Sequence, residues 1–377
     1  MMQSRSAIVI GAGIVGLATA RALALRGFSV KVFERGERAV GASIRNFGMI
    51  WPVGQPAGKL YHRAVRSREI WSALSPRAGF WSEPAGSLHL AYHADEWQVL
   101  QELAEIFQKE GRPVRLLGKD AVGDISAAAV PDGLLGGLYS RDELIVDPRE
   151  AIAALPGWLT EQWKVEFYWG KCVSYISDGA VYIGNEEEYE ADLIFICGGA
   201  DFETLYPEHF AQQPVTKCKL QMMRLAPQPM DWRIGPALCG GLSLIHYKSF
   251  KAAASLAGLK ERYEREMAEY LEWGIHVMVS QNGKGELTVG DSHEYGLTHD
   301  PFDKEFINRM VLAYLRKFVR VRDWTVTQTW NGIYTKLTDG EADLFFSPEP
   351  YVYVINGVGG AGMTLSFGLA EELVDGL

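Results

Sequence analysis

The chain has 377 residues, of which 47% are hydrophobic and 11% aromatic, so it can bury one large core or two smaller ones. Its 37 basic and 47 acidic side chains give a formal net charge of −10 without a basic tract, which argues against sequence-independent binding of nucleic acid. Four cysteines without metal-ligand spacing indicate free thiols in a reducing cytoplasm and exclude a disulfide framework.

The first segment predicts a β-α-β unit. Residues 6–35, SAIVIGAGIVGLATARALALRGFSVKVFER, form a short apolar run, a glycine turn, an Ala/Leu helix that ends near Gly27, and a second alternating strand. Further along, Ala64–Leu74 and Asp95–Gly111 have helical periodicity, and Gly86–Tyr92 alternates like a strand.

The rest of the chain mixes strands and helices. Residues 190–200 predict a buried strand that ends in a glycine pair, and helices are expected over Leu259–Trp273 and Lys304–Arg316. The uncharged run Val352–Ala370 has transmembrane length, but its glycines, Asn356 and hydroxyl side chains predict a strand, a loop and a helix instead.

Gly11, Gly13 and Gly16 form the motif GxGxxG between the first strand and the first helix. The first glycine permits a tight turn, the second lets a pyrophosphate approach the positive end of the helix, and the third lets the helix pack on the strand. Glu34 closes the second strand, where a carboxylate accepts hydrogen bonds from a ribose hydroxyl. This unit predicts an adenine dinucleotide, and NAD and FAD both fit it.

Three further stretches narrow the choice between NAD and FAD. They are GASIRNFGM (41–49), ADLIFICGGA (191–200) and YVYVINGVGGAGMT (351–364). With them the sequence resembles the D-amino-acid oxidase and glycine oxidase family of FAD-dependent amine oxidoreductases over essentially its whole length. The resemblance implies an α/β fold in which an FAD-binding, Rossmann-like (GR2-type) lobe joins a second, mixed β-sheet lobe that binds substrate.

On this basis we expect a discontinuous FAD-binding domain of residues 1–80, 145–216 and 330–377, and a substrate-binding domain of residues 81–144 and 217–329. The resemblance also implies a set of residues along FAD. These are Gly11, Gly13, Ile14, Val15, Gly16, Glu34, Arg35, Gly41, Ala42, Ser43, Arg45, Asn46, Phe47, Gly48, Met49, Val173, Gly198, Gly199, Ala200, Gly332, Gly359, Gly360, Gly362, Met363 and Thr364.

The final glycine loop is expected to pass the pyrimidine edge of the flavin, where side chains on the glycines would hold the ring away from the backbone. A helix that starts near Met363 and Thr364 would direct its positive end at the charge that flavin reduction creates. Leu365, Leu369 and Leu373 would form its apolar face, with Glu371 and Glu372 turned to water. A loop that only leads into a core helix would use the same residues.

The segment WNGIYTKLTDG (330–340) departs from the family pattern. Relatives that oxidise amino acids place an arginine where Tyr334 stands, and a tyrosine hydroxyl cannot form the guanidinium fork that clamps a carboxylate. A tetrahedral dianion would suit the point charges and hydroxyls of Lys336, Tyr334, Lys248 or Arg45. Together with residues 241–250, 274–296 and the GMTLSFG ending, this resembles a subgroup associated with the breakdown of 2-aminoethylphosphonate and its N-alkyl relatives.

We therefore expect FAD-dependent oxidation of a small amine, in which FAD accepts a hydride and the imine hydrolyses to an aldehyde and an amine or ammonia. The electron acceptor is dioxygen or a quinone, and no metal is expected. Alternatives are a D-amino-acid or glycine/sarcosine-type oxidase or dehydrogenase, an NAD-dependent dehydrogenase, and a non-catalytic flavin-binding subunit.

Tyr247, His276, Tyr334 and Lys336 are the candidates for orienting the substrate, and Trp51 and Trp330 are expected near the flavin ring. His246, His293 and Tyr295 fall on segments of the same lobe and are weaker candidates. A histidine in an alternating strand is more often structural than catalytic. The adjacent Asp291, Ser292 and His293 do not have the sequence arrangement that a hydrolytic triad requires.

Overall fold

A computed structural model describes residues 5–184 and 187–377. Residues 1–4 of the predicted 1–80 segment and residues 185 and 186 of the predicted 145–216 segment therefore lie outside the described part. Among the described residues, no helix combines the length and the apolar character needed to cross a membrane. The described helices are α1 (Ile14–Leu25), α2 (Lys59–Ala78), α3 (Ala94–Lys109), α4 (Lys119–Ile125), α5 (Pro148–Trp163), α6 (Pro207–Phe210), α7 (Leu256–Glu266), α8 (Ala268–Glu272), α9 (Glu305–Phe318) and α10 (Gly362–Asp375).

The strands form two large sheets and two small ones. They are β1 (Ser6–Ile10), β2 (Ser29–Glu34), β3 (Met49–Ile50), β4 (Ser82–Glu83), β5 (Ser87–Ala91), β6 (Val114–Gly118), β7 (Gly136–Ser140), β8 (Leu144–Val146), β9 (Glu166–Trp169), β10 (Tyr175–Ser177), β11 (Ala180–Ile183), β12 (Glu187–Glu190), β13 (Leu193–Ile196), β14 (Val215–Leu225), β15 (Ala237–Cys239), β16 (Met278–Gln281), β17 (Leu287–Gly290), β18 (Glu294–Gly296), β19 (Val326–Leu337), β20 (Leu344–Glu349) and β21 (Val352–Asn356).

The first large sheet has six strands in the order β20-β21-β13-β1-β2-β9, and all neighbours are parallel except β20 and β21. Its central strands are continuous apolar runs because both faces are covered. On one face Val9 and Phe195 share a core with Leu17 and Leu23 of α1. On the other face Ile194 packs in a core with the small sheet β10-β11-β12. This is the expected Rossmann-like lobe.

The second large sheet has nine strands and follows the path β18-β14-β17-β16-β15-β5-β7-β6, with β19 paired to β14. The long antiparallel ladder between β14 and β19 runs from Val215 opposite Leu337 to Leu225 opposite Val326. The end of β19 lies beside the turn that follows β13 of the first sheet, where Thr335 Oγ1 donates to the carbonyl oxygen of Gly199 at 2.9 Å. The strand therefore crosses residue 330, the predicted domain boundary, without a break.

Two local expectations need correction. The predicted helix Leu259–Trp273 is interrupted at Met267, whose φ of −130° and ψ of 27° end α7 and start α8. In the last helix Glu372 is exposed as expected, but residues 363–370 are all buried where α10 packs against α1 and α2, and Glu371 is half-buried. Glu371 forms ion pairs with Arg21 of α1 at 2.9 Å and Arg66 of α2 at 2.8 Å.

The turn before α1 yields a test of the packing. A Cβ on Gly16 would collide with the carbonyl oxygen of Gly11, which α1 must approach to lie on β1. Gly16→Ala is therefore expected to destabilise the protein by roughly 1–3 kcal/mol through overpacking, measured by denaturant unfolding. Gly157→Ala is the matched control, since a Cβ at this position in α5 would meet no atom within 4 Å. Equal stability of the two variants would contradict the packing described here.

Candidate active site

A cavity of about 870 Å³ lies between the two large sheets. Its wall includes the residues that follow β1, β2, β13 and β21, together with residues of β14 and β19. The first four strands are parallel, so their carboxyl ends meet at one edge of the sheet. The volume falls in the upper part of the roughly 300–1,000 Å³ typical of ligand sites.

The glycine turn after β1 forms one end of the cavity. Gly11 has a φ of +102°, which lets the chain turn directly into α1. The amide of Ile14, in the first turn of α1, donates to Ser43 Oγ at 2.9 Å. Glu34 accepts from the amides of Ala12 and Gly36, each at 3.0 Å. The carboxylate that was expected to meet a ribose is thus held by backbone amides within the cavity wall.

The glycine loop after β21 forms another part of the wall. Gly357 and Gly359 have φ values of +73° and +57°, a region that favours glycine. Gly360 and Gly362 lie outside this region, and a Cβ on either would meet no atom closer than 3.5 Å. The packing and backbone of the described residues therefore do not explain glycine at these two positions. A flat ligand against the loop does.

β19 places polar side chains opposite that loop. Gly332, Tyr334 and Lys336 are two residues apart and share one face of the strand. A Cβ on Gly360 would lie 3.5 Å from Tyr334 Oη, and a Cβ on Gly359 would lie 3.7 Å from Lys336 Cδ. Burial, and then the neighbouring Lys248, lower the pKa of Lys336. Burial, and then nearby Cys218, raise the pKa of Tyr334 well above its ordinary value.

A buried carboxylate with three imidazoles forms the side of the cavity near β16 and β17. Asp291 Oδ1 lies 3.2 Å from His276 Nε2, and Asp291 Oδ2 lies 3.8 Å from His293 Nε2. The ring of His246 stacks on His276 with centroids 3.7 Å apart. His293 Nδ1 and the carbonyl oxygen of Gly274 are 2.9 Å apart, which fixes the proton on Nδ1 and leaves Nε2 as an acceptor.

Desolvation governs the protonation of this group. It raises the pKa of Asp291 well above its ordinary value and lowers the pKa of His276 well below its own. It also lowers the pKa of His293 to about 4. His246 is exposed to the cavity, yet the protein around it lowers its pKa as well, aided by His293 and Lys336. Desolvation therefore favours the neutral forms of Asp291 and of the three imidazoles.

The structure brings nearly all of the predicted site residues together. Every residue expected along the cofactor lines the cavity except Gly16, which packs on Gly11, and Gly48, which packs on the backbone of Val146. Tyr247, His276, Tyr334 and Lys336 line it too, and Tyr247 Oη lies 3.0 Å from Met278 Sδ.

Of the two tryptophans expected near the flavin ring, the structure places one in the cavity wall and the other elsewhere. Trp51 lines the cavity, and its amide donates to Thr364 Oγ1 at 2.9 Å. Trp330 lies elsewhere, with its ring 5.2 Å from the guanidinium of Arg149 and 6.0 Å from that of Arg224. Trp330 shares a face of β19 with Gly332, Tyr334 and Lys336, but it precedes the part of the strand that lines the cavity.

Sequence reasoning missed the role of Asp291 in the cavity wall, having weighed it only as part of a hydrolytic triad. The signal for it is the turn Asn282–Gly285 between two alternating segments, which indicates a hairpin. In the structure the hairpin β16-β17 sets Asp291 opposite His276, and the two residues exchange backbone hydrogen bonds of 2.9 and 3.3 Å.

Comparison with known proteins agrees with this geometry. Residues 6–376 match the family described as FAD dependent oxidoreductase (DAO). The chain belongs to the DAO family of FAD-dependent oxidoreductases. It is therefore an oxidoreductase, and its cofactor is FAD.

Individual proteins are more distant. The chain is 34% identical over 250 residues to the tRNA 5-methylaminomethyl-2-thiouridine biosynthesis bifunctional protein MnmC of Chromobacterium violaceum. The alignment covers 63% of this chain and 36% of that protein. The chain thus spans about a third of the length of the curated relatives it matches. Among solved structures, glycine oxidase from Geobacillus kaustophilus has a TM-score of 0.78 at 20% identity and covers 99% of this chain and 95% of its own. L-proline dehydrogenase from P. horikoshii has a TM-score of 0.77 at 20% identity and covers 100% and 93%. These structures share the fold.

The cavity residues fit FAD. The start of α1 and the amides around Gly13 suit a pyrophosphate, since a helix N-terminus attracts anions. The space beside Gly360 and Gly362 suits a flat ring pressed to bare backbone, as the missing Cβ contacts show. The beginning of α10 at Gly362 then directs a positive helix end toward that space.

Gly360→Val tests this fit. The variant should fold with a free energy of unfolding within roughly 0.5 kcal/mol of the parent when FAD is removed, because the new side chain meets open space. It should bind FAD at least about tenfold more weakly, because ring and side chain compete for that space. The flavin-to-protein absorbance ratio measures the second effect. Gly157→Val is the matched control, and full FAD retention in Gly360→Val would refute the assignment.

Proposed function

We propose that this protein oxidises a small amine that carries an anionic group, with 2-aminoethylphosphonate or an N-alkyl derivative as the substrate. FAD, when bound, accepts the hydride from the carbon that bears the amine. The observation that carries the proposal is Lys336, an ammonium group directed into the cavity next to the glycine loop. Among the described residues it has neither a hydrogen-bond nor an ion-pair partner, so it is available to an anionic ligand.

The neighbours of Lys336 favour a phosphonate over a carboxylate. A bidentate clamp on a carboxylate needs a guanidinium, and Tyr334 holds that position with a single hydroxyl. His246 and Lys248 from one segment and Lys336 from β19 all line the cavity, and three such groups suit an anion with three oxygens. Lys248 also donates to the carbonyl oxygen of Gly340, so it is held at the cavity mouth. A D-amino-acid or glycine/sarcosine-type activity is the alternative.

The protein supplies position and a dry site, and the imine formed is hydrolysed to an aldehyde plus an amine or ammonia. The curated relatives are named for the biosynthesis of a modified tRNA nucleoside. The net charge of −10 on this chain does not favour an RNA substrate, so we propose a free small molecule.

We also propose that residues 1–80, 145–216 and 330–377 form the FAD-binding domain, and residues 81–144 and 217–329 the substrate-binding domain. The origin of the six-stranded sheet supports this division, since all its strands come from the first set. We place the protein in the cytoplasm, and the free cysteines Cys172, Cys197, Cys218 and Cys239 support this location.

Anaerobic reduction of the flavin tests the proposed function. Bleaching of the FAD absorbance by 2-aminoethylphosphonate or N-methyl-2-aminoethylphosphonate, and not by glycine or D-alanine, is the expected result. Bleaching by the amino acids alone would favour the alternative activity, and bleaching by no amine would favour a non-catalytic flavin-binding subunit. Hydrogen peroxide formed in air would identify dioxygen as the acceptor; its absence, with reoxidation by a quinone, would identify a dehydrogenase.

Lys336→Gln should raise the KM for an aminophosphonate roughly ten- to a hundredfold, because it removes a charged hydrogen bond worth roughly 1.5–3 kcal/mol. The same variant should change the KM for an uncharged amine of similar size much less. Lys251→Gln, at an exposed position, is the matched control. An equal loss for charged and uncharged amines would show that Lys336 does not bind the anion.

A further inference from the structure

We propose that Asp291, His276, His293 and His246 form the proton acceptor for the substrate amine. An amine near neutral pH is an ammonium ion, and it must lose a proton before its carbon can give up a hydride, because the nitrogen lone pair stabilises the developing cation. This inference rests on the proposed amine oxidation and concerns a step that precedes it.

The first support is the unsatisfied state of the group. Asp291 and His276 are 5% and 4% exposed, and both line the cavity. Among the described residues, Asp291 Oδ1 and His276 Nδ1 are buried without a hydrogen-bond partner. Buried polar atoms are nearly always paired, so these two await a partner that the folded chain does not provide. A proton carried in by a substrate meets that need.

The second support is that the cluster contains imidazole nitrogens with free lone pairs, which can accept a proton. The contact with the carbonyl of Gly274 fixes the proton of His293 on Nδ1, so Nε2 faces Asp291 as an acceptor. A single added proton, on either Asp291 or His276, leaves this pair neutral. It can then take a second proton, and the positive charge that results lies near the anionic group expected of the substrate.

The geometry favours a proton over a metal ion. A nitrogen atom of each of His246, His276 and His293 lies within 4.8 Å of the others. In a zinc site, however, the rings radiate from the ion at about 2.0–2.1 Å. Here His246 and His276 stack face to face at 3.7 Å with an interplanar angle of 30°, so their lone pairs run side by side and do not converge.

The other titratable groups around the cluster do not supply a competing base. Desolvation is the main cause that disfavours protonation of His246 and His293, and the cationic side chain of Lys336 adds to it until an anion neutralises that charge. The remaining neighbours are neutral at pH 7 because burial raises the pKa of the phenols and thiol and lowers that of the imidazole: Tyr247, Tyr295, Tyr334, Cys218 and His89.

The proposed step is balanced. The N–H bond of the ammonium ion breaks, its electron pair stays on nitrogen, and the proton joins an imidazole nitrogen of the cluster. FAD, when bound, would supply the two-electron oxidant that takes the hydride from the carbon of the neutral amine. Hydrolysis of the imine completes the reaction.

The test compares pH profiles of anaerobic flavin reduction for the parent holoenzyme, Asp291→Asn and His276→Gln. A primary amine has a pKa of about 10, like a lysine side chain. The parent should hold a plateau of kcat/KM below that pH. In each variant only the fraction of amine that is already neutral reacts, so kcat/KM should rise about tenfold per pH unit. The deficit should be roughly 10²- to 10⁴-fold at pH 7 and should disappear toward pH 10.

Two further measurements separate this role from a structural one. (2-Amino-2-methylpropyl)phosphonate cannot be oxidised because its amine carbon bears no hydrogen, so its Kd, read from the flavin spectrum, reports binding alone. The variants should bind it within about threefold of the parent and retain FAD. His209→Gln, at a surface histidine beside Glu208, is the control and should keep the parent profile.

A constant deficit at every pH, or a parallel loss of Kd for the unreactive probe, would overturn the inference. Stoichiometric zinc in the purified protein, with activity lost on chelation, would overturn it in favour of a metal site. If no amine reduces the parent flavin, the proposed function itself fails. If amines reduce it and the profiles of parent and variants coincide, only the proton acceptor fails.

Discussion

The parallel alignment of β2, β1, β13 and β21 is the constraint on which the rest of the site depends. Parallel strands deliver their carboxyl ends to one edge, so the turns that follow them must share that edge. Segments far apart in the chain, such as those after Ile10, Ile196 and Asn356, thereby contribute backbone to one wall. Buried apolar runs hold this sheet between two cores, which keeps the turns fixed relative to each other.

The second constraint is the ladder between β14 and β19. It belongs to the nine-stranded sheet, yet its far end lies beside the glycine loop of the other lobe. Position along β19 then determines which residues reach the cavity, so Tyr334 and Lys336 near its end line it, and Trp330, earlier in the strand, lies against two arginines. One strand thus links the glycine loop of the first lobe to the second sheet.

The polar groups of this cavity carry an energetic cost for the folded state. Burial is unfavourable for the Lys336 ammonium group, which has no partner among the described residues, and for Asp291, whose Oδ1 has no hydrogen-bond partner. Lowered pKa values at Lys336 and the histidines, and a raised one at Asp291, reduce that cost by favouring neutral forms. A zwitterionic ligand would pair with these charged and polar groups at once. Binding such a ligand would therefore offset part of the cost of burying them.

Local periodicity and glycine spacing encode strand-turn-helix units directly, so the sequence alone was enough to predict the β-α-β unit and the dinucleotide motif. Family resemblance added most of the residues that line the cavity. The sequence did not determine the break at Met267, the burial of residues 363–370 on every side of α10 or the position of Trp330, since these follow from packing between distant elements. The sequence also did not predict the cluster of Asp291 with the three histidines. Asp291 and His276 meet across a hairpin and are joined by His246 from another segment, and only tertiary structure sets such distances.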